Sequence, residues 1–145
     1  MFKIISIDPG KCKCGLVLVD LNQKIIDQAL VLNTDILPKY LETLNSLENI
    51  SKVIIGNGTT SKQNIEKLQF LKNDLIIVEE KNTTFRAKKR YFELFPTRGI
   101  KTFLPKEIFI LNKNLDAVSA LIIVEDYCSH KFTLSEHIDI KTWLK

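Results

Sequence analysis

The sequence predicts an α/β domain of three layers: a five-stranded mixed sheet, three antiparallel strands and then two parallel ones, with helices on both faces. Three observations carry that expectation. The first third of the chain holds three apolar, strand-like runs separated by short connections, the pattern of an antiparallel meander. After residue 35 strand-like and helix-like runs alternate, and a helical crossover makes the strands it joins parallel. From Leu115 to about Cys128 the chain reads as a last, very apolar helix.

Phe2 to Ile7 is a buried strand that stops at Asp8-Pro9-Gly10, a turn signature. Gly15 to Leu21 and Lys24 to Asn33 are the next two strands, joined through Asn22-Gln23. After Asp35 the period changes. Ile36, Leu37, Tyr40, Leu41, Leu44 and Leu47 recur at helical spacing and predict a helix from about Ile36 to Glu48. Lys52 to Gly56 is the fourth strand, closed by the loop Asn57-Gly58-Thr59-Thr60. Ser61 is placed to cap a second helix, whose Ile65, Leu68 and Leu71 share a face. Leu75 to Val78 is the fifth strand and runs into Glu79-Glu80. Thr83-Thr84 open a third helix to about Phe95, and Pro96 to Pro105 reads as a basic loop. No repeat, low-complexity tract or linker interrupts the pattern, so one domain over residues 1–145 is expected.

Composition narrows the class. Hydrophobic residues make up 45% and charged residues 26% of the chain, enough apolar surface to offset the ordering entropy that keeps polar chains disordered. No apolar run reaches the length of a membrane-spanning helix. Met1-Phe2-Lys3 leads straight into a strand with no secretory core, and three cysteines are too few for a disulfide framework, so a cytoplasmic protein is expected. The formal charge of +4 is unevenly spread. Lys81 to Lys106 holds eight basic residues and one acid, a local +7 that leaves the rest of the chain negative. Such segregation points to an anionic partner for that region.

Carboxylates stand where burial makes charge costly. Asp8 ends one apolar strand, Glu79 and Glu80 end another, and Asp116 shares LDAVSALIIV with only one other polar residue, Ser119. In open α/β sheets, ligands bind beyond the carboxyl ends of the strands. Carboxylates gathered there repel one another unless a cation lies between them, and an all-oxygen ligand set suits Mg²⁺ or Mn²⁺. Each residue also has a plainer reading. Asp8 is a common turn residue, Asp116 favours the positive end of a helix, and Glu79 and Glu80 suit a solvated strand end. Period-two reasoning does not choose between Glu79 and Glu80, because both faces of LIIV are apolar.

IISIDPGKCKCGLVLVD resembles the opening motif of the YqgF (RuvX) family, small relatives of the RuvC Holliday junction resolvases with an RNase H-like fold. IVEEKNTTFRAKK is similar to that family's second motif, and LDAVSALIIVEDY to its third. VIIGNGTTS is similar to the glycine loop of YqgF-like domains, including the one in the transcription accessory protein Tex. The four motifs occur in the family's order between about residues 2 and 128. The resemblance implies an acidic triad of Asp8, Glu80 and Asp116, with Glu79 at the neighbouring acidic position. It implies two Mg²⁺ or Mn²⁺ ions held by those three residues, Asp8 serving both. Lys81 stands where the family usually carries Arg, and Lys13 likewise, keeping the charge while losing the planar fork. Ser119 stands where RuvC-type resolvases have a fourth carboxylate, and Asp126, about 15 Å further along the helix, is too distant to substitute.

The expected function is therefore hydrolysis of phosphodiesters in structured nucleic acid, with precursor ribosomal RNA the substrate the resemblance favours. Cleavage of branched DNA at four-way junctions, or a catalytically silent binding module, are the alternatives. Nucleic-acid contacts are expected from Lys13, from Asn57, Thr59 and Ser61 of the glycine loop, and from Lys81, Arg86, Lys89, Arg90, Arg98 and Lys101. Arg86, Lys89 and Arg90 fall on one helix face, opposite Phe85, Phe92 and Phe95, which is also the pattern of an ordinary solvated face. No membrane partner is expected, and a monomer is favoured over a dimer. Cys12-Lys13-Cys14 lacks the further ligands a zinc site needs. His130 and His137 are expected at the surface, with Trp143 packing the tail onto the body.

Overall fold

The computed structural model describes residues 2–58, 60–71, 74–105 and 115–138. Its sheet contains β1 (Lys3–Asp8), β2 (Lys13–Asp20), β3 (Ile25–Asn33), β4 (Ile50–Gly56), β5 (Leu75–Val78) and β6 (Thr133–Leu134). The helices are α1 (Leu37–Leu47), α2 (Ser61–Lys67), α3 (Thr83–Leu94) and α4 (Asp116–Cys128). In the sheet the strands run β5-β4-β1-β2-β3-β6. β1 to β3 form the expected antiparallel meander, and β4 and β5 join parallel to β1.

The sheet has six strands where the sequence predicts five. β6 is two residues long and pairs parallel with β3 through Ile25 and Ile26. A stretch so short carries no readable period; tertiary contacts place it. Its neighbour Phe132 is 1% exposed, and Glu125 and Arg90 bind its backbone. Pro96 to Pro105 also departs from a plain loop, since Gly99–Phe103 forms a 3-10 helix.

Period-two alternation sends β1 side chains to two cores. Ile5 and Ile7 meet Leu16, Leu18, Val53, Ile55 and the apolar stripe of α1, Leu37, Leu41 and Leu44. Ile4 meets Val17, Val19, Ile54 and α4 on the other face. α4 is buried almost all round from Ala117 to Glu125, which explains why its sequence is apolar at nearly every position. α3 lies outside it, contributing Ala87 and Tyr91 to the same core. The sheet is thus covered on both faces, as predicted.

One prediction about α3 changes. Phe92 and Phe95 pack onto the core as its apolar face requires, but Phe85 is 80% exposed. Opposite them, α3 turns Arg86 and Arg90 to the acids of α4, with Arg90 buried and Lys89 left exposed. Arg86 donates both Nη atoms to Asp126, each at 2.6 Å, and Arg90 is buried with its guanidinium on Glu125 at 2.7 to 3.1 Å. Arg90 also reaches the Phe132 carbonyl at 2.6 Å and Glu93 at 3.3 Å. The face repeat was legible in the sequence; its facing partner was not.

Candidate active site

β1, β4 and β5 run parallel, so their carboxyl ends open on one edge of the sheet. Asp8 is the last residue of β1, and Glu80 follows β5 by two residues. Asp116 is the first residue of α4, at the positive end of that helix. Three elements distant in sequence therefore deliver one carboxylate each to the same edge.

Glycines make that convergence possible. Gly15 of β2 sits opposite Asp8, and a Cβ there would run into the Asp116 carbonyl and approach the Ala117 nitrogen to 2.6 Å. A glycine inside a strand is often a point of close backbone approach, and here it lets the start of α4 lie on β2. At the end of β4, a Cβ on Gly56 would occupy the place of the Glu80 carboxylate. A Cβ on Gly58 would stand 3.6 Å from Glu80 Oε1 and 3.8 Å from the Pro9 carbonyl. Glu80 therefore lies between the β4 loop and the turn after Asp8. Gly15→Ala is expected to cost about 1–3 kcal/mol through overpacking against rigid backbone, read from urea denaturation.

Electrostatics reports the same proximity. Burial, then the charges of Glu80 and Asp116, push the Asp8 carboxyl up to about 7 from an ordinary 3.8. Burial also raises Glu80, whose Oε1 is buried without a hydrogen-bond partner. Beneath them the buried Cys14 thiol contacts the Leu32 carbonyl at 3.7 Å. Its pKa is pushed up to about 12 by burial, then by Asp116 and Asp8, so it stays a neutral thiol. Glu79 is exposed, so the side chain directed to the cluster is Glu80.

The geometry bears on a metal in two ways. Among the described residues, no three His, Cys, Asp or Glu side chains are grouped as ready ligands for one ion. The carboxylates of Glu80 and Asp116 lie close enough to Asp8 for their charges to raise it. An orphaned buried carboxylate oxygen and an all-oxygen donor set fit a hard divalent cation such as Mg²⁺ or Mn²⁺.

The residues expected to touch nucleic acid are distributed unequally. Lys13, Lys81, Lys89, Arg98 and Lys101 are exposed. Asn57 is exposed, but its side-chain oxygen accepts from the Ser61 hydroxyl at 3.2 Å, and Ser61 is 2% exposed. Ser61 begins α2 as its first residue and does not cap it; Thr60 precedes it and donates to the Pro9 carbonyl at 3.3 Å. This loop fastens the β4 end to the turn after β1. Thr59, Lys106 and Trp143 lie outside the described residues. Arg86 and Arg90 are committed to the α4 acids. His137 is exposed, while His130 is half-buried with its ring edge-on to Phe132 at 5.4 Å. Gly56 and Gly58 also provide the space that admits Glu80, and a glycine ending an apolar strand beside a motif acid is the sequence signal for it.

No protein-family model matches this sequence, and neither does any curated protein. Solved structures do. Thermus thermophilus RuvC in complex with Holliday junction substrate aligns with a TM-score of 0.50 at 12% identity, over 89% of this chain and 96% of that one. Another structure of Thermus thermophilus RuvC aligns at 0.48 and 14% identity, over 88% and 95%. The Aquifex aeolicus Ppx/GppA phosphatase aligns at 0.41 and 10% identity, over 68% of this chain and 43% of that one. The first likeness establishes the class: the chain has the mixed α/β, RNase H-like fold of RuvC. Among the described residues, no helix is long and apolar enough to cross a membrane.

Proposed function

We propose that this protein is a Mg²⁺- or Mn²⁺-dependent nuclease of the YqgF (RuvX) type, acting on structured nucleic acid. The observation that carries the reading is the convergence of Asp8, Glu80 and Asp116 at one buried edge, where burial and then the charges of Glu80 and Asp116 raise the pKa of Asp8 to about 7. Mutual repulsion of this kind is unfavourable for a purely structural site, and a cation relieves it. Asp8, Glu80 and Asp116 would hold the metal. Once bound, it would supply a Lewis acid for the phosphate and a lowered pKa for the attacking water.

The chain's own residues do the rest. Gly56 and Gly58 leave the space in which the Glu80 carboxylate can turn toward Asp8. Asp8 must release its proton to act as a ligand, so a proton and the metal compete for it and metal binding weakens as the pH falls. Lys13 and Lys81, both exposed, flank the carboxylates along the chain and supply positive charge for a polyanionic backbone. Lys89, Arg98 and Lys101 extend that charge toward the far end of α3.

Precursor ribosomal RNA is the favoured substrate, on the motif resemblance. A four-way DNA junction is the second reading, because the RuvC that this fold matches is in complex with one. Ser119, 4% exposed where a fourth carboxylate would be needed, weighs against resolvase geometry. Cleavage of the two substrates side by side in Mg²⁺ tests the choice; failure to cut either, with no Mn²⁺-dependent stabilisation, leaves only a binding module.

A prediction separates the adjacent acids. Glu80→Gln is expected to lower turnover about 10²-fold or more, with Glu79→Gln within a few-fold of wild type, since only Glu80 faces Asp8. Single-turnover cleavage measures both, and equal losses would remove Glu80 from the site.

A further inference from the structure

After α3 the chain forms the 3-10 turn Gly99–Phe103. In such a turn residues i and i+3 eclipse one another, so Ile100 and Phe103 stand on one ridge, about 6 Å apart at 2.0 Å per residue. They are 85% and 88% exposed, the two most exposed large apolar side chains among the described residues. The turn is tied from within. Thr102 Oγ1 donates to the Gly99 carbonyl at 2.7 Å, and the Leu104 nitrogen to the Lys101 carbonyl at 3.3 Å. Gly99 has a φ of +67°, and nothing lies within 4 Å of where its Cβ would stand. Glycine is therefore required there by the reversal of the chain and not by close packing.

Cations flank this ridge. Arg98 precedes the turn and Lys101 lies within it, both exposed, and no acid occurs between Pro96 and Pro105. Apolar side chains exposed singly are ordinary, but two on one ridge beside cations match the apolar wedges that enter base steps while Arg or Lys holds the backbone. A second copy of the chain is a poor occupant, because it would bring Arg98 and Lys101 against their own like charges. An anionic membrane attracts the same residues, but a five-residue turn is far shorter than the amphipathic helices that lie on lipid.

We propose that the Ile100–Phe103 ridge is a wedge that enters the base stack of the substrate where stacking is already interrupted, at a bulge or branch, with Arg98 and Lys101 on the flanking phosphates. The inference deepens the nuclease reading and rests on it. Parting an intact base step costs unstacking energy, and an interrupted step costs less, so the wedge favours irregular duplexes over continuous ones. α3 is about 18 Å long at 1.5 Å per residue, and the turn follows it, so the wedge engages the substrate away from the carboxylates.

The test compares a continuous duplex with the same duplex carrying a two-nucleotide bulge, in separate RNA and DNA versions with dyes at both ends, in EDTA so that nothing is cut. For the wild-type protein the bulge should tighten binding about tenfold, within the range measured for one base stacked on an aromatic ring. Energy transfer between the dyes should rise as the wedge kinks the bulged duplex. The arm that shows the preference tells whether the wedge serves RNA or DNA. Ile100→Ser with Phe103→Ser should erase both effects and keep the affinity for continuous duplex. Both side chains are exposed, so this variant should melt like the wild type. Arg98→Ser with Lys101→Ser should flatten the dependence of log affinity on log salt by about 0.9 per lost phosphate contact. Equal wild-type affinity for the two duplexes overturns the wedge and leaves the nuclease reading standing. Binding of neither overturns both. A bulge preference that survives Ile100→Ser with Phe103→Ser overturns the wedge, as does tight binding to phosphatidylserine vesicles that bulged duplex fails to displace.

Discussion

Asp8→Asn is expected to lower metal-dependent cleavage about 10³-fold or more while making the metal-free protein more stable above pH 7. A ligand's share of transition-state charge stabilisation is several kcal/mol, and each 1.36 kcal/mol is tenfold in rate. The gain in stability follows from linkage. Asp8 has a pKa of about 7 in the folded protein against an ordinary 3.8. Between those values the folded state keeps a proton that the unfolded chain has released, so stability falls as pH rises from about 4 to about 7. The proton belongs to the cluster of three acids, with Asp8 its main holder. Three units at 1.36 kcal/mol each set a ceiling of about 4 kcal/mol, and about 2 kcal/mol is expected for a partly solvated group. Asparagine cannot ionise, so the variant should lack that decline. Thermal melts from pH 5 to pH 8 in EDTA check this, and repeating them with Mn²⁺ checks the site itself. Mn²⁺ should stabilise the wild type at pH 8 and leave Asp8→Asn unmoved. A variant that cuts at near wild-type rate would remove Asp8 from the chemistry.

Arg90→Met should be the most damaging single change to the fold, at about 3–5 kcal/mol, the usual cost of leaving a buried charge without its partner. Glu125 is 8% exposed, and its carboxylate accepts from the Arg90 guanidinium and from the Phe132 backbone nitrogen. Without Arg90 that carboxylate stays buried, and the Phe132 carbonyl loses its donor. At roughly 2–4 °C per kcal/mol for a chain of this size, the melting temperature should drop by about 10 °C. Because the pair holds the chain beside β6, exchange of the Phe132 to Ser135 amides should accelerate first. Arg90→Met with Glu125→Leu should recover much of the loss, since an apolar pair of similar volume replaces two desolvated charges. If Arg90→Met melts like the wild type, the guanidinium is not buried as described, and a role in binding nucleic acid returns.

The same arginine marks how far sequence reasoning reaches. Strands and helices were legible because their signals are local. The alternation along β1 and β2 and the 3.6-residue stripe of α1 lie within each segment, and crossover geometry then dictates which strands run parallel. The candidate carboxylates were legible too, because a charged residue at the end of an apolar strand or inside an apolar helix is conspicuous wherever the strand goes.

What only the tertiary structure decided were relations between segments. Both faces of LIIV are apolar, so nothing within the strand told Glu79 from Glu80; the space left by Gly56 at the end of the neighbouring strand and by Gly58 in the loop after it did. Helical spacing grouped Arg86, Lys89 and Arg90 on one face but carried no record of the acids on α4 opposite it. The two arginines are consumed by Asp126 and Glu125, while Lys89 remains exposed. β6 is too short to have a period and exists because a buried ion pair and the β3 edge hold it. By itself, the sequence determined the order and kind of its elements and the chemistry they carry, since those depend on residues close along the chain. Which side chains meet was decided in three dimensions, because a contact depends on both partners and a local pattern describes only one.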